Sequence, residues 1–226
     1  MSSTNRGGQR SEADFYPTPA WLVDRLLERV HLPGGHWLEP SAGDGAIIRA
    51  VNARRQDVRW TAVELRDCAQ ALRCASVDQT GKTNPRDYKP SIIHSPHDFL
   101  KWLPAGIMRT GSAGEVRAFD VCLMNPPYSL AAEFIERALY IADVVAAPLR
   151  LNFLGSEARA EWFENVVGMP DVFVSPNRPD FSGQGGDSCE YAWMVWTAAR
   201  KFDAPATVRL LATTPRAVRV AQKPGG

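Results

Sequence analysis

The sequence predicts an α/β domain: a mostly parallel sheet covered by helices on both faces, closed by an antiparallel hairpin near the C-terminus. Three observations predict it. Short apolar strand runs alternate with helical runs along the chain, and most connections between them are short. The last two strand runs flank a Gly/Pro-rich loop, as a hairpin would. The composition, 226 residues at 45% hydrophobic and 23% charged, is that of an ordinary globular chain able to bury one large core.

The elements follow in order. Residues 1–13 are polar and Gly/Ser-rich and are expected to form a flexible tail. Trp21–Val30 reads as an amphipathic helix, with Trp21, Leu22, Leu26 and Val30 near helical spacing, Pro19 in its first turn and Pro33-Gly34-Gly35 beyond its end. Trp37-Leu38 is a strand running into the Gly-rich turn Glu39-Pro-Ser-Ala-Gly-Asp-Gly45, and Ala46–Arg55 has the composition of a helix. Val58–Glu64 alternates as a strand, Cys68–Ala75 is helical, and Ile92–His94 and Phe119–Met124 are strands. Leu130–Ala146 is expected as one long helix, Leu149–Leu154 as a strand and Glu157–Val167 as a helix. Val172–Val174 and Cys189–Trp196 form the hairpin. Three long loops remain, Ser76–Ser91, Pro104–Ala118 and Ser175–Ser188, and loops of that length on a rigid sheet commonly carry function.

Several classes are excluded. No run reaches the ~18 apolar residues that a membrane helix needs, and the polar start Met1–Gly8 lacks the apolar core of a signal peptide. Cys68, Cys74, Cys122 and Cys189 include no CxxC pair, and His31, His36, His94 and His97 show no ligand spacing. A metal-free, membrane-free cytoplasmic protein is the expectation. The 26 Lys and Arg against 25 Asp and Glu hide an asymmetry. Residues 119–199 hold four Arg against eleven acids, whereas residues 200–226 hold six Lys and Arg against one Asp. Residues 49–89 are also basic, nine against five, with Lys82, Arg86 and Lys89 in one loop. Separated basic segments permit contact with a polyanion.

Ligands of open α/β sheets bind outside the carboxyl ends of the strands, and three features of a donor pocket fall there. In Glu39–Gly45, Gly43 and Gly45 allow close backbone approach. The third glycine of a dinucleotide loop is missing, and Glu39 and Asp44 would repel a diphosphate. Carboxylates suit a ligand with an ammonium or sulfonium and no phosphate, which points to S-adenosyl-L-methionine rather than NAD. Glu64, ending the second strand, can accept from ribose hydroxyls. Asp98-Phe99 offers a carboxylate for an adenine amino group and a ring beside the base, although Asp98 could equally cap a helix.

The sharpest feature is Asn125-Pro126-Pro127-Tyr128, directly after the strand Phe119–Met124. Two prolines stiffen the turn. It can aim the Asn125 amide oxygen and the Pro126 carbonyl at one point, where they would hold an exocyclic amino group by both hydrogens. Tyr128 then offers a face for stacking a planar ring.

Phe15-Tyr-Pro-Thr-Pro19, Glu39–Gly45, Asp98-Phe-Leu100 and Asn125–Tyr128 together resemble the ordered motifs of DNA adenine-N6 methyltransferases, in the gamma-type order with the donor site first. Arg178-Pro-Asp-Phe181 followed by Asp187–Trp196 is similar to the small phage-type members. The resemblance spans roughly residues 14–196. It implies a Rossmann-like class I methyltransferase fold in one catalytic domain, residues 14–214, with inserted recognition loops and a basic flexible tail at 215–226. It also implies donor contacts from Tyr16, Thr18, Glu39, Ser41, Gly43, Gly45, Glu64, Asp98, Phe99 and Asn125, and catalysis by Asn125, Pro126, Pro127 and Tyr128. Phe181 would stack on the far face of a flipped adenine, with Phe173 an alternative. The implied substrate is double-stranded DNA, and a homodimer is expected because residues 197–226 are too few for a separate recognition domain. Three other readings stand beside it: an rRNA or protein-glutamine methyltransferase using the same turn, a cytosine-N4 enzyme, and a non-enzymatic nucleic-acid-binding module.

Overall fold

The computed structural model describes residues 16–75, 92–104, 109–110, 116–181, 188–198 and 205–222. The expected N-terminal tail, the loop 76–91 with its Lys82, Arg86 and Lys89, and parts of the other two long loops lie outside the described residues.

Among the described residues, ten strands and six α-helices occur in this order: α1 (Ala20–Arg29), β1 (Gly35–Glu39), α2 (Ala46–Asn52), β2 (Val58–Val63), α3 (Ala69–Ala75), β3 (Ile92–His94), β4 (Arg109–Thr110), β5 (Val116–Arg117), β6 (Phe119–Leu123), α4 (Ala131–Ile141), β7 (Ala142–Arg150), α5 (Glu157–Trp162), β8 (Asp171–Val174), β9 (Tyr191–Thr197), β10 (Val208–Leu210) and α6 (Arg216–Ala221). Eight strands form one sheet in the order β10-β8-β9-β7-β6-β1-β2-β3, and β4 and β5 make a small separate hairpin. All neighbours in the large sheet are parallel except those of β9, which runs antiparallel to both β7 and β8. The expected sheet with its late antiparallel hairpin is therefore what the chain forms.

Both faces of the sheet are buried, and β9 shows how one strand serves both. Tyr191, Trp193 and Val195 enter the core beside α1 and α2, while Met194 and Trp196 enter the core beside α4. That alternation is the two-residue period of a strand. It explains why β9 reads as an unbroken apolar run, as buried strands do. The Trp193 indole N–H donates to the Leu22 carbonyl at 2.9 Å and ties α1 to the sheet.

The helix foreseen over Leu130–Ala146 ends at Ile141, and the chain passes directly into β7 at Ala142, whose backbone is extended. A continuous apolar run does not distinguish a buried strand from a buried helix by period. Here tertiary context decides: β7 lies between β6 and β9, and the β-branched Val144-Val145 suits that slot. Pro148 would break a longer helix, yet it fits the strand because it lies past Leu123↔Ala146, the last β6–β7 pair, where no ladder donor is needed on that side. The strand foreseen over Leu149–Leu154 is consequently the end of β7 followed by a 3₁₀ turn at Leu151–Phe153. Strand β10, unforeseen, extends the sheet by pairing parallel to β8, and the segment expected as a C-terminal tail contains α6.

Candidate active site

Parallel pairing sets the carboxyl ends of β1, β2, β3, β6 and β7 along one edge of the sheet. Register adds the start of β9, because Tyr191 lies opposite Arg150, the last residue of β7. The ends of β8 and β10 share this edge through Val174↔Ala192 and Leu210↔Val174. Glu39, Glu64, Asp98, Asn125, Tyr128 and Phe181 all follow or end strands on that edge.

After β1 the chain turns through Gly43 and Gly45, with φ of 56° and 82°, left-handed values that glycine alone adopts at little cost. The turn brings the Gly43 N–H to Glu64 Oε2 at 2.7 Å. Glu64 Oε1 accepts from the Arg66 backbone N–H at 3.0 Å and its guanidinium Nε at 2.9 Å. A carboxylate offers about four lone-pair sites, so these bonds leave about one for a ligand. Asp44 is similarly engaged, accepting from the Ala46 N–H and the Arg49 guanidinium.

Glu39 differs. It is 2% exposed, and its Oε2 has no hydrogen-bond partner among the described residues. Burial holds its carboxyl well above the usual range, and the charges of Asp44 and Glu64 push it further, against opposing effects from Arg49 and the Ile48 N–H. A buried carboxyl facing two more acids is the place where a cation would be stabilised most.

The turn after β6 is held at three points. Asn125 Nδ2 donates to the Tyr16 carbonyl at 3.0 Å, which fixes the amide's orientation. The Asn125 carbonyl accepts the Ser41 hydroxyl at 2.9 Å, and the Pro127 carbonyl accepts the Leu130 N–H at 2.9 Å. Asn125 Oδ1 and the Pro126 carbonyl accept no hydrogen bond from a described residue. Ser41 thus joins the turn after β1 directly to the Asn125 turn, and Tyr16 joins the segment before α1 to it. Thr18 is buried two residues further on.

Tyr128 is half-buried, with its ring 6.2 Å from Tyr191 and 5.5 Å from the Arg150 guanidinium. Phe181 is 7% exposed and packs 5.1 Å from the same Tyr191. Arg150 Nε also donates to the Tyr191 hydroxyl at 3.0 Å. Tyr191 and Arg150 went unnoticed in the sequence, since only the β7–β9 register brings residues 41 apart together. No helix starts at Asp98 among the described residues; it closes a turn, its carboxylate accepting the Leu100 N–H at 3.0 Å and pairing with Lys101. Phe99 is 2% exposed in the core, 5.1 Å from Phe134 and under the Arg137 guanidinium. Phe173 is buried within β8. Among the described residues no group of three or more His, Cys, Asp or Glu could hold a metal ion, and no helix is long and apolar enough to cross a membrane.

No protein-family model and no curated protein matches the chain. Solved structures do. A protein of Agrobacterium tumefaciens described as a predicted O-methyltransferase superposes with a TM-score of 0.55 at 19% identity, over 86% of this chain and 86% of its own. A modification subunit of a candidate type I restriction enzyme from Vibrio vulnificus does so with a TM-score of 0.53 at 13% identity, over 88% of this chain and 46% of its own. A dimethyladenosine transferase from Plasmodium falciparum gives 0.52 at 12% identity, over 81% of this chain and 62% of its own. The chain therefore spans less than two thirds of the length of the last two. At these identities the likeness is one of architecture, and it establishes the fold as the Rossmann-like class I methyltransferase fold.

Proposed function

We propose that this chain transfers a methyl group from S-adenosyl-L-methionine to the N6 amino group of adenine in double-stranded DNA, after the base is turned out of the helix. The observation that carries the reading is the Asn125–Tyr128 turn, whose Asn125 Oδ1 and Pro126 carbonyl accept nothing from the described residues while the Asn125 amide N–H and the Asn125 and Pro127 carbonyls are bonded.

The donor site fits its ligand. Glu39, with an unsatisfied buried oxygen, is suited to the ligand's positive charge, and the Gly43 and Gly45 turn lets the backbone come close. Glu64, Asp98, Thr18 and Tyr16 border the same edge, Glu64 with a lone pair left for a ribose hydroxyl. When bound, the donor supplies a methyl group on a positively charged sulfur. Asn125 Oδ1 and the Pro126 carbonyl accept the two amino hydrogens and turn the nitrogen lone pair out of conjugation, towards the donor side. Tyr128 stacks on one face of the base and Phe181 on the other. No strong general base is needed, because attack makes the nitrogen acidic enough to lose its proton to these acceptors or to water. The chain's contribution is orientation and electrostatic positioning.

The three solved neighbours are described as acting on oxygen, as part of a restriction enzyme and as a dimethyladenosine transferase, and two of these descriptions agree with a nucleic-acid substrate. A homodimer on DNA and a place at the nucleoid follow from the same reading, and sedimentation showing only monomers on DNA would remove the dimer. The test of the reading is expression in a host without DNA methylation, followed by mapping of modified bases. N6-methyladenine at a recurrent sequence is the expected result. Methyl groups on protein or RNA with unmodified DNA would overturn it.

A further inference from the structure

We propose that an arginine-lined groove beside α6 binds a phosphodiester of the nucleic-acid strand flanking the target base, an inference that rests on the function proposed above. The groove is a cavity of about 520 Å³, bordered by Pro19, Arg178, Asp180, Arg216, Arg219 and Gln222 among others. The lining holds Arg178, Arg216 and Arg219 against Asp180, and with Glu190 paired to Arg178 beside it the groove still carries a net positive charge.

Its location is set by topology. Arg178 and Asp180 follow β8, and Arg216 and Arg219 follow β10, so both sets lie on the carboxyl edge that carries Asn125. In the sheet order β8 is three strands from β6 and β10 four, which at ~4.8 Å per strand places the groove about 15 to 20 Å along that edge. Two covalent links shorten the path. Pro19 borders the groove three residues after Tyr16, whose carbonyl holds Asn125. Asp180 precedes Phe181, which packs on Tyr191. A separation of 15 to 20 Å corresponds to roughly five steps along a duplex strand at ~3.4 Å each.

The wall is built rather than incidental. Thr214, 2% exposed, joins three elements: its N–H donates to Asn177 Oδ1 at 2.6 Å, its hydroxyl accepts from Arg25 at 3.0 Å, and its carbonyl accepts from Arg219 Nε at 3.1 Å. These contacts hold α6 against α1 and the segment after β8. Arg178 is partly committed to Glu190 at 2.6 Å, and the carboxyl of Glu190 is lowered chiefly by that hydrogen bond. Arg216 has no carboxylate partner among the described residues. The Gln222 Oε1 is buried in the same wall without a partner among the described residues, and the amide can present its Nε2 to an anion instead. Guanidinium groups set at fixed positions recognise phosphate oxygens through paired N–H donors. A backbone phosphate, held at a fixed distance from the flipped base, is the ligand that makes the shared edge useful.

The experiment measures affinity for a random-sequence DNA duplex against salt concentration, for wild type and for Arg216→Gln, Arg216→Lys and Arg216→Gln/Arg219→Gln. One phosphate contact contributes about 0.9 to the slope of log affinity against log salt. Arg216→Gln should lower the slope by about 0.9 and the affinity about five- to tenfold at 0.1 M salt. The double variant should lose about twice that slope, and Arg216→Lys should keep it. In the single Arg216 variants, thermal melting and binding of S-adenosyl-L-methionine should not change, whereas the double variant also loses the Arg219 bond to Thr214 and should melt lower. A wild-type slope in Arg216→Gln, with duplex methylation intact, overturns the groove and leaves the proposed function standing. So does a change that Arg216→Lys shares, because that marks packing rather than charge. Inorganic phosphate bound in an Arg216-dependent way, with duplex affinity independent of Arg216, assigns the groove to a free phosphate and overturns the backbone ligand. A wild type that methylates only protein and shows no salt-dependent affinity for DNA overturns both.

Discussion

Asn125 and Glu39 are opposite kinds of residue, one fixed by its bonds and the other left short of them. The Asn125 amide donates to Tyr16, so its oxygen has a set direction before any substrate arrives. Glu39 is buried with an unpaired oxygen near Asp44 and Glu64, and its carboxyl titrates well above 4.5. The folded chain therefore holds a proton that the unfolded chain has already lost. Its stabilising effect is complete below about pH 4.5 and is lost as pH rises through the folded value. Glu39→Gln should thus flatten the decline in melting temperature of the ligand-free protein with rising pH, and melts across this range would show a decline identical to wild type if Glu39 carried no such strain. A positively charged donor should favour the ionised form, so calorimetry in buffers of different ionisation enthalpy should show proton release on binding to wild type and none with Glu39→Gln. Glu64→Ala should weaken donor binding by about 1 to 3 kcal/mol and also free the Gly43 N–H and Arg66. Unchanged donor affinity in calorimetry would show that Glu64 serves only the protein. The residue chemistry of the Asn125–Tyr128 turn was legible because it is contiguous in sequence. The partners Arg150 and Tyr191 were not, since each reaches the site from another strand end, and Ser41, expected as a donor contact, instead bonds the Asn125 carbonyl.

At the scale of elements, short strands with β-branched or aromatic runs were legible: β1, β2, β3, β6, β8 and β9 all lie where their composition puts them. The junction of α4 and β7 was not. Ala138–Leu149 is apolar throughout except for Asp143, and in the fold Asp143 sits at the start of the strand, 3.5 Å from Arg117. What decides the conformation there is the slot between β6 and β9, a tertiary fact. Strand β9 ties the helices to the sheet through Trp193, which is fully buried. Trp193→Phe keeps an aromatic ring but removes the N–H to the Leu22 carbonyl and leaves a void. Stability should fall by about 1 to 3 kcal/mol, read as a lower urea midpoint with an unchanged slope. An unaltered midpoint would mean that α1 docks without this bond.

For the whole molecule, parallel strands and the register of β9 gather Glu39, Glu64, the Asn125 turn, the aromatic residues and the α6 groove on one edge. The sequence announced the layout of an α/β sheet with its ligands at the strand ends, but not β10 or α6, which continue that edge towards the basic C-terminal residues. Tyr128→Ala and Phe181→Ala should each weaken capture of an extruded base by about 1 to 3 kcal/mol, with 2-aminopurine fluorescence at the target as the readout. Phe181→Ala should also lower the melting temperature, because that ring is packed in the core. The account rests on the two unoccupied acceptors of the Asn125 turn. Its most direct test is the single-turnover rate of methyl transfer to duplex DNA by wild type and Asn125→Ala, at saturating donor. The rate should fall about a hundredfold or more, with donor affinity nearly unchanged; transfer by Asn125→Ala at the wild-type rate would contradict it.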